Sequence, residues 1–129
     1  MKTKYAVSLA MFGSFALGAM AVQSLHAQST PKGYIVTTVE VTGSPDVYQR
    51  DYIAHLAATY APFGARYVVR NAKPVGVEGE PPRGYIVITE FDSMDKARGW
   101  LGSPEFLKIK PVRDHETKTQ VYMVEGVPN

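Results

Sequence analysis

The chain has 129 residues, enough for one domain and no more. It contains no cysteine, which excludes a disulfide framework and lipid attachment through an N-terminal cysteine. The 14 basic and 12 acidic residues give a net charge of +2 without a Lys/Arg run, so nothing favours nucleic-acid binding.

The first 27 residues have the order of a secretory signal peptide. Lys2 and Lys4 precede an uncharged apolar segment, residues 5–22, and a small residue, Ala27, stands at the expected cleavage site. A retained membrane anchor is the alternative, since the apolar segment is nearly long enough to span a bilayer. We favour cleavage, which predicts a periplasmic or secreted domain over residues 28–129 with no membrane contact.

Removal of the signal peptide changes the charge of the protein. Lys2 and Lys4 leave with it, and 12 basic residues then balance 12 acidic ones. The mature domain is therefore expected to be neutral overall. At about 100 residues it buries only a modest core.

The same four residues, Gly-Tyr-Ile-Val, occur at 33–36 and at 84–87. Each copy opens a β-branched run, and a helical pattern follows each run, which indicates two β-α-β units. In chain order, the predicted elements are a strand over Gly33–Val41, a helix from Ser44 to about Gly64, strands over 65–70 and 84–91, helices over Met94–Leu101 and from Pro104 to a stop or kink at Pro111, and a strand over 119–125.

The first predicted helix has one apolar stripe. Tyr48, Tyr52, Leu56, Tyr60 and Phe63 follow one another at spacings of four, four, four and three residues. This period places them on one face of the helix, which we expect to pack on the sheet.

The predicted order β-α-β-β-α-β is that of an α+β, ferredoxin-like sandwich. The first and third strands carry apolar or β-branched residues on both faces, whereas two short helical layers cover only one face. We therefore expect a homodimer in which the second sheet face packs on its counterpart.

Several passages resemble domain-of-unknown-function family 1330, in the dimeric α/β-barrel superfamily. They are Tyr-Ala-Pro-Phe-Gly-Ala-Arg-Tyr-Val-Val-Arg at 60–70, Glu-Phe-Asp-Ser at 90–93, Ser-Pro-Glu-Phe at 103–106 and Val-Glu-Gly at 124–126. The resemblance covers residues 33–126 and implies a ferredoxin-like monomer whose sheet closes a barrel with a partner's sheet.

The resemblance implies no particular reaction, because the family is named for its lack of one. Relatives in the wider superfamily include cofactor-free monooxygenases of aromatic polyketides, lactone isomerases, haem-degrading enzymes and dye-decolourising peroxidases. An export signal is a departure from many members of the family.

Two residues are candidates for proton transfer. His55 lies beside the buried stripe of the first helix, and its side chain titrates near neutral pH. Glu90 alternates with apolar residues in the third strand. A carboxylate in such a place forms an ion pair, is exposed at the strand end, or has a raised pKa, and a raised pKa would suit a general base. The alternatives are an exposed helix histidine and a salt bridge at the strand end.

Four residues are candidates for ligand binding between sheet and helices. Arg70 and Arg113 end a strand and a helical segment, and either could receive a carboxylate or phenolate or pair with Glu90 or Glu40. Tyr34 and Trp100 could line an apolar pocket, although such aromatic residues also form cores. The two histidines after residue 27 stand far apart with no cysteine, so we expect no metal and no cofactor.

Three functions therefore remain open. We favour a homodimer that binds a small, partly apolar ligand. The alternatives are a cofactor-free enzyme, monooxygenase- or isomerase-like, acting on a small aromatic or lactone-type substrate, and a structural or stress-related periplasmic protein.

Export is directly testable. Intact mass of the protein from a periplasmic extract is expected to show a chain that begins near Gln28. Recovery of only the full-length chain, in the membrane fraction, would favour the anchor instead.

Overall fold

The computed structural model describes residues 30–128, and the predicted signal peptide, residues 1–27, lies outside them. Within the described part, four strands form one antiparallel sheet in the order β2-β3-β1-β4. The strands are β1 (Gly33–Val41), β2 (Arg66–Ala72), β3 (Tyr85–Phe91) and β4 (Thr117–Glu125). This is the ferredoxin-like order, as the sequence predicts.

Helical segments connect β1 to β2 and β3 to β4, and both groups pack on the same face of the sheet. The first connection is a helix interrupted by a π-helical turn. Its parts are α1 (Pro45–Tyr48), the π-helical turn (Gln49–Ile53), α2 (Ala54–Tyr60) and a 3-10 turn (Ala61–Phe63). The second connection consists of α3 (Met94–Leu101) and α4 (Pro104–Glu116).

Serine side chains cap the N-termini of three helices. Ser44 Oγ accepts a hydrogen bond from Val47 N at 3.2 Å, and Ser93 Oγ accepts one from Lys96 N at 3.1 Å. Ser103 Oγ likewise accepts from Phe106 N at 3.3 Å. Each bond satisfies a backbone N–H that the first helical turn leaves without a partner.

Helix α4 is longer than the sequence predicts, because it passes through Pro111 and ends at Glu116. Proline removes the hydrogen bond that its own N–H would give to the carbonyl four residues earlier. That carbonyl belongs to Leu107, whose side chain is 48% exposed, and Pro111 is itself exposed. Water can therefore reach the Leu107 carbonyl and take the place of the missing hydrogen bond.

The strand limits also differ from the prediction in detail. β2 continues to Ala72, and β4 already begins at Thr117. The segment between β2 and β3 contains no strand, and within it Val75 and Val77 are 86% and 92% exposed. Among the described residues, no helix is long and apolar enough to cross a bilayer.

The core lies between the helices and the sheet and is mostly aromatic. The Trp100 ring centroid lies 4.1 Å from that of Phe106, 4.9 Å from that of Tyr60 and 5.9 Å from that of Phe91. Trp100 Nε1 donates to Thr59 Oγ1 at 2.9 Å, which satisfies the buried indole N–H. Ile35 brings β1 into the same cluster.

The repeated glycine has a different steric reason in each copy. A Cβ at Gly33 would lie 2.7 Å from the Ser93 carbonyl oxygen and 2.9 Å from Met94 Cα, so glycine lets β1 approach the start of α3. Gly84 has a φ of +79°, and a Cβ there would overlap the Val39 carbonyl. Both positions therefore require glycine, although only Gly84 also needs the left-handed region.

Replacement of Gly84 by alanine should therefore destabilise the fold strongly. Gly79 is the matched control, because its φ is +70° but nothing lies within 4 Å of a Cβ placed there. Gly79→Ala is expected to cost about 1–2 kcal/mol of unfolding free energy from the backbone conformation alone. Gly84→Ala should cost about 3 kcal/mol or more, because the β1 backbone must also move. Chemical denaturation measures both, and equal losses would contradict the steric explanation.

Candidate functional site

A narrow crevice lies between the helix-facing side of the sheet and the first helical connection. Its free volume is ≈ 20 Å³, which holds about one water molecule. Aromatic and charged side chains dominate its lining. They are Tyr48, Tyr52, Tyr60, Tyr67, Trp100, Arg70 and Arg113. Valine and threonine side chains of the strands also line it, at Thr37, Val39, Val87 and Val121. Ile53, Leu56 and Asn71 complete the lining.

The first helix supplies three of the four tyrosines because its apolar stripe faces the sheet. Tyr48 and Tyr52 stack with their ring centroids 5.3 Å apart and their planes at 15°. Tyr52 belongs to the π-helical turn Gln49–Ile53, and Tyr48 directly precedes that turn. Tyr60, one helical stretch further, is 6% exposed and closes the inner end.

Tyr60 connects the helix to the sheet. Its hydroxyl shares a hydrogen bond of 3.2 Å with Thr89 Oγ1 on β3. Its ring meets that of Tyr67, on β2, edge to face, with the centroids 5.4 Å apart. The hydroxyl and ring together hold this end of the crevice in one geometry.

Burial raises the pKa of the tyrosines in the crevice. Desolvation is the largest cause for Tyr52, whose pKa rises to about 12, and it also raises the pKa of Tyr48, Tyr60 and Tyr67. These phenols are therefore neutral at physiological pH. Among the described residues that line the crevice, no histidine, carboxylate or lysine is present, and the remaining ionisable groups are arginines.

Arg113 is the buried charge of the crevice. Its side chain is 7% exposed and pairs with Asp114 at 3.1 Å. The guanidinium carbon lies 5.5 Å from the centroid of the Phe106 ring. Arg70, which enters from β2, is exposed and lies 4.7 Å from the Tyr67 ring centroid.

A wider opening of ≈ 310 Å³ adjoins the crevice. Val39, Tyr48, Ile53 and Asn71 line both spaces, so the two communicate at these side chains. The outer part of the opening is mainly apolar, with Val41, Pro45 and Tyr85 among its lining residues. We call this space the mouth.

The candidate base His55 lies outside the crevice. It is exposed on α2 and lines a groove of ≈ 440 Å³ on the other side of the helix. That groove runs between α2 and α4 and also contains Asp51, Glu105 and Lys108. His55 therefore does not reach the tyrosines.

Tyr34 and Glu90 lie on the sheet face opposite the helices. The Tyr34 hydroxyl donates to Glu90 Oε2 at 3.1 Å, and Arg66 Nε donates to Glu90 Oε1 at 2.9 Å. The bond to Glu90 is the largest cause that raises the pKa of Tyr34. The alternative of a strand-end salt bridge, weighed for Glu90 from the sequence, is thus the arrangement present, with Arg66 as the partner.

The six candidates from the sequence therefore occupy three places. Arg70, Trp100 and Arg113 meet in the crevice. Tyr34 and Glu90 are together on the opposite face, and His55 lines the groove between α2 and α4. Sequence reasoning placed three crevice tyrosines, Tyr48, Tyr52 and Tyr60, on the buried stripe of the first helix rather than in a site, and it gave Tyr67 only as a strand residue. The spacing on the helix was the available signal for the first three. Within the described residues, no group of three or more potential metal ligands comes together.

Known proteins share this architecture. The family model described as Domain of unknown function (DUF1330) matches residues 32–127. No curated protein matches the chain significantly.

Solved structures with a similar fold include those of RPA0582 and SnoaB. The methylated RPA0582 protein has a TM-score of 0.60 at 12% identity, over 84% of this chain and 90% of that one. A second structure of RPA0582, a protein of unknown function from Rhodopseudomonas palustris, has 0.56 at 12%, over 84% and 92%. SnoaB, a cofactor-independent oxygenase from Streptomyces nogalater, has 0.55 at 15%, over 78% and 97%. At these identities the likeness concerns the fold.

Proposed function

The chain belongs to the domain of unknown function family DUF1330, and on that premise we propose that it binds a small, partly apolar ligand. We propose further that it does so as an exported homodimer of the dimeric α/β-barrel superfamily. The ligand site is the crevice with its mouth. The observation that carries the proposal is the composition of the crevice. It combines aromatic surface with a few convergent polar groups, as small-molecule sites do.

The chemistry of the lining favours binding over catalysis. A general acid or base works best with a pKa near the operating pH. The tyrosines of the crevice have raised pKa values, with burial as the main cause, and its arginines stay charged. Tyrosine and arginine side chains of this kind donate hydrogen bonds and can bind a negatively charged group, but they do not exchange protons at neutral pH.

A cofactor-free enzyme is the second candidate. The fold similarity to the SnoaB oxygenase favours it, and the sequence offered His55 or Glu90 as the base. Both lie outside the crevice, and Glu90 is held by Arg66 and Tyr34. An enzyme of this kind, acting on an aromatic or lactone-type substrate, would have to bring its substrate to one of these two other places.

The sheet face without helices supports the homodimer. One row of apolar side chains crosses all four strands, since Val69 on β2 pairs with Ile88 on β3, Ile88 with Val36 on β1, and Val36 with Tyr122 on β4. Tyr122 is 50% exposed in the isolated chain. Stable interfaces remove about 1,200–2,000 Å² from water, and a second copy of this face is the simplest cover.

Export is the last part of the proposal. The order of charged, apolar and small residues in positions 1–27 supports it. A periplasmic or secreted domain meets small molecules from outside the cell directly. A binding protein without a catalytic base is consistent with that setting.

Ligand binding can be measured through Trp100, the one tryptophan of the chain, which lines the crevice. We expect the uncharged dye N-phenyl-1-naphthylamine to quench Trp100 emission with a dissociation constant in the roughly micromolar range. Val87→Phe fills the crevice and should weaken binding about tenfold or more. Leu107→Phe, on the exposed side of α4, is the control. Unchanged binding by Val87→Phe would place the dye elsewhere, and no binding at all would favour a structural role.

The dimer is expected to depend on the apolar row. Ile88→Asp places a carboxylate at its centre, where burial against a second sheet would leave the charge without a partner. Light scattering at micromolar concentration should then give the mass of a dimer for the wild type and of a monomer for Ile88→Asp. Leu107→Asp introduces the same charge on the helical side and should remain dimeric. A monomeric wild type, or a dimeric Ile88→Asp, would contradict the proposed interface.

A further inference from the structure

Arg113 is a buried cation whose charge is only partly balanced. Its Nε and Nη2 both donate to the same oxygen, Asp114 Oδ1, at 3.3 and 3.1 Å. Asp114 also pairs with Lys110 through its other oxygen. Among the described residues one carboxylate thus serves two cations, and a positive charge remains at the edge of the crevice.

Arg70 brings a second positive charge to the same crevice. It forms no ion pair with any residue that the structure describes. Both guanidinium groups lie near aromatic rings, Arg70 at Tyr67 and Arg113 at Phe106. A guanidinium stacked on a ring keeps its N–H groups for acceptors in its own plane, the geometry that suits a carboxylate. Asp114 already accepts from Nε and Nη2 of Arg113, so among the described residues Arg70 offers the edge without a carboxylate partner.

No acidic side chain of the described residues faces these two cations within the crevice. Charge interactions are stronger where water is largely excluded. A bound anion would therefore gain more here than at the protein surface. The neutral tyrosine hydroxyls add hydrogen-bond donors without adding negative charge.

The mouth offers room for the rest of a ligand. Its volume of ≈ 310 Å³ is at the lower end of the usual range for ligand sites, and its outer lining is mostly apolar. Two backbone irregularities border it. The π-helical turn contributes Gln49 and Ile53, and Asn71, at the end of β2, has a φ of 50°. Both kinds of irregularity are over-represented at functional sites.

From these observations we propose that the ligand is a small anion with an apolar body, of the arylcarboxylate class. Its apolar body lies in the mouth, and its anionic group is bound by Arg113 and Arg70. The inference rests on the proposed binding function and names the ligand class for the same site. The crevice itself is too narrow for more than the anionic end, so the larger part of the ligand remains between Tyr48 and Tyr85.

A matched pair of probes tests the charge. 4-Ethylbenzoate and 4-ethylbenzamide have the same body and differ in charge, and both are followed by Trp100 emission. We expect the benzoate to bind about tenfold tighter than the amide or better. Arg70→Gln and Arg113→Gln should each lower benzoate affinity about tenfold and leave amide affinity nearly unchanged. Arg98→Gln is the control, because Arg98 pairs with Asp95 on the exposed side of α3.

The outcomes separate this inference from the proposed function. Equal affinity for the two probes would overturn the anionic ligand while ligand binding stands. A benzoate preference that survives Arg70→Gln would overturn the assignment of the arginines. If buried Arg113→Gln does not fold, as a thermal melt will show, the exposed Arg70 variant still decides. Binding of the uncharged dye without benzoate binding up to about 10 mM overturns the inference alone; failure of all three probes overturns the binding function as well.

Discussion

The burial of Trp100 is the constraint on which the rest of the domain depends. Its ring, 3% exposed, contacts Tyr60 of the first helical connection, Phe91 of β3 and Phe106 of α4. Its N–H needs an acceptor inside the protein, and Thr59 supplies one. One side chain thus joins both helical connections to the sheet. The crevice borders this ring, so one wall of the site is as rigid as the core itself.

Most of the fold could be predicted from the sequence because local signals agree with one another. The β-branched runs, the serine caps and the apolar stripe of the first helix each indicate the same boundaries within a few residues. Helix α4 is the exception. Pro111 predicts an end or a kink there, but water can take the place of the missing hydrogen bond, and whether water reaches the unpaired carbonyl depends on tertiary packing. The π-helical turn likewise leaves no pattern in the residues Gln49–Ile53 that a single sequence reveals.

The site was predictable only in part, because alternation along a strand tells which residues share a face but not which face the helices cover. For this reason the sequence analysis placed Tyr34 and Glu90 between sheet and helices, whereas both lie on the uncovered face. Arg66 and Arg70 show a second cause. Four residues apart, they should share a face, but the register shifts between Tyr67 and Val69. The bulge leaves Arg66 with Glu90 and turns Arg70 toward the crevice.

The π-helical turn also has an evolutionary consequence. Such a turn holds about one residue more than an α-helical turn, so a helix that contains it carries an extra residue without losing its ends. Loss of one residue within Gln49–Ile53 would restore a regular helix and rotate everything before it by about 100° relative to Leu56 and Tyr60. Tyr48 would leave the mouth, while the core contacts of the later turns would remain. Insertions and deletions at this turn therefore offer lineages a way to reshape the opening while they keep the same fold.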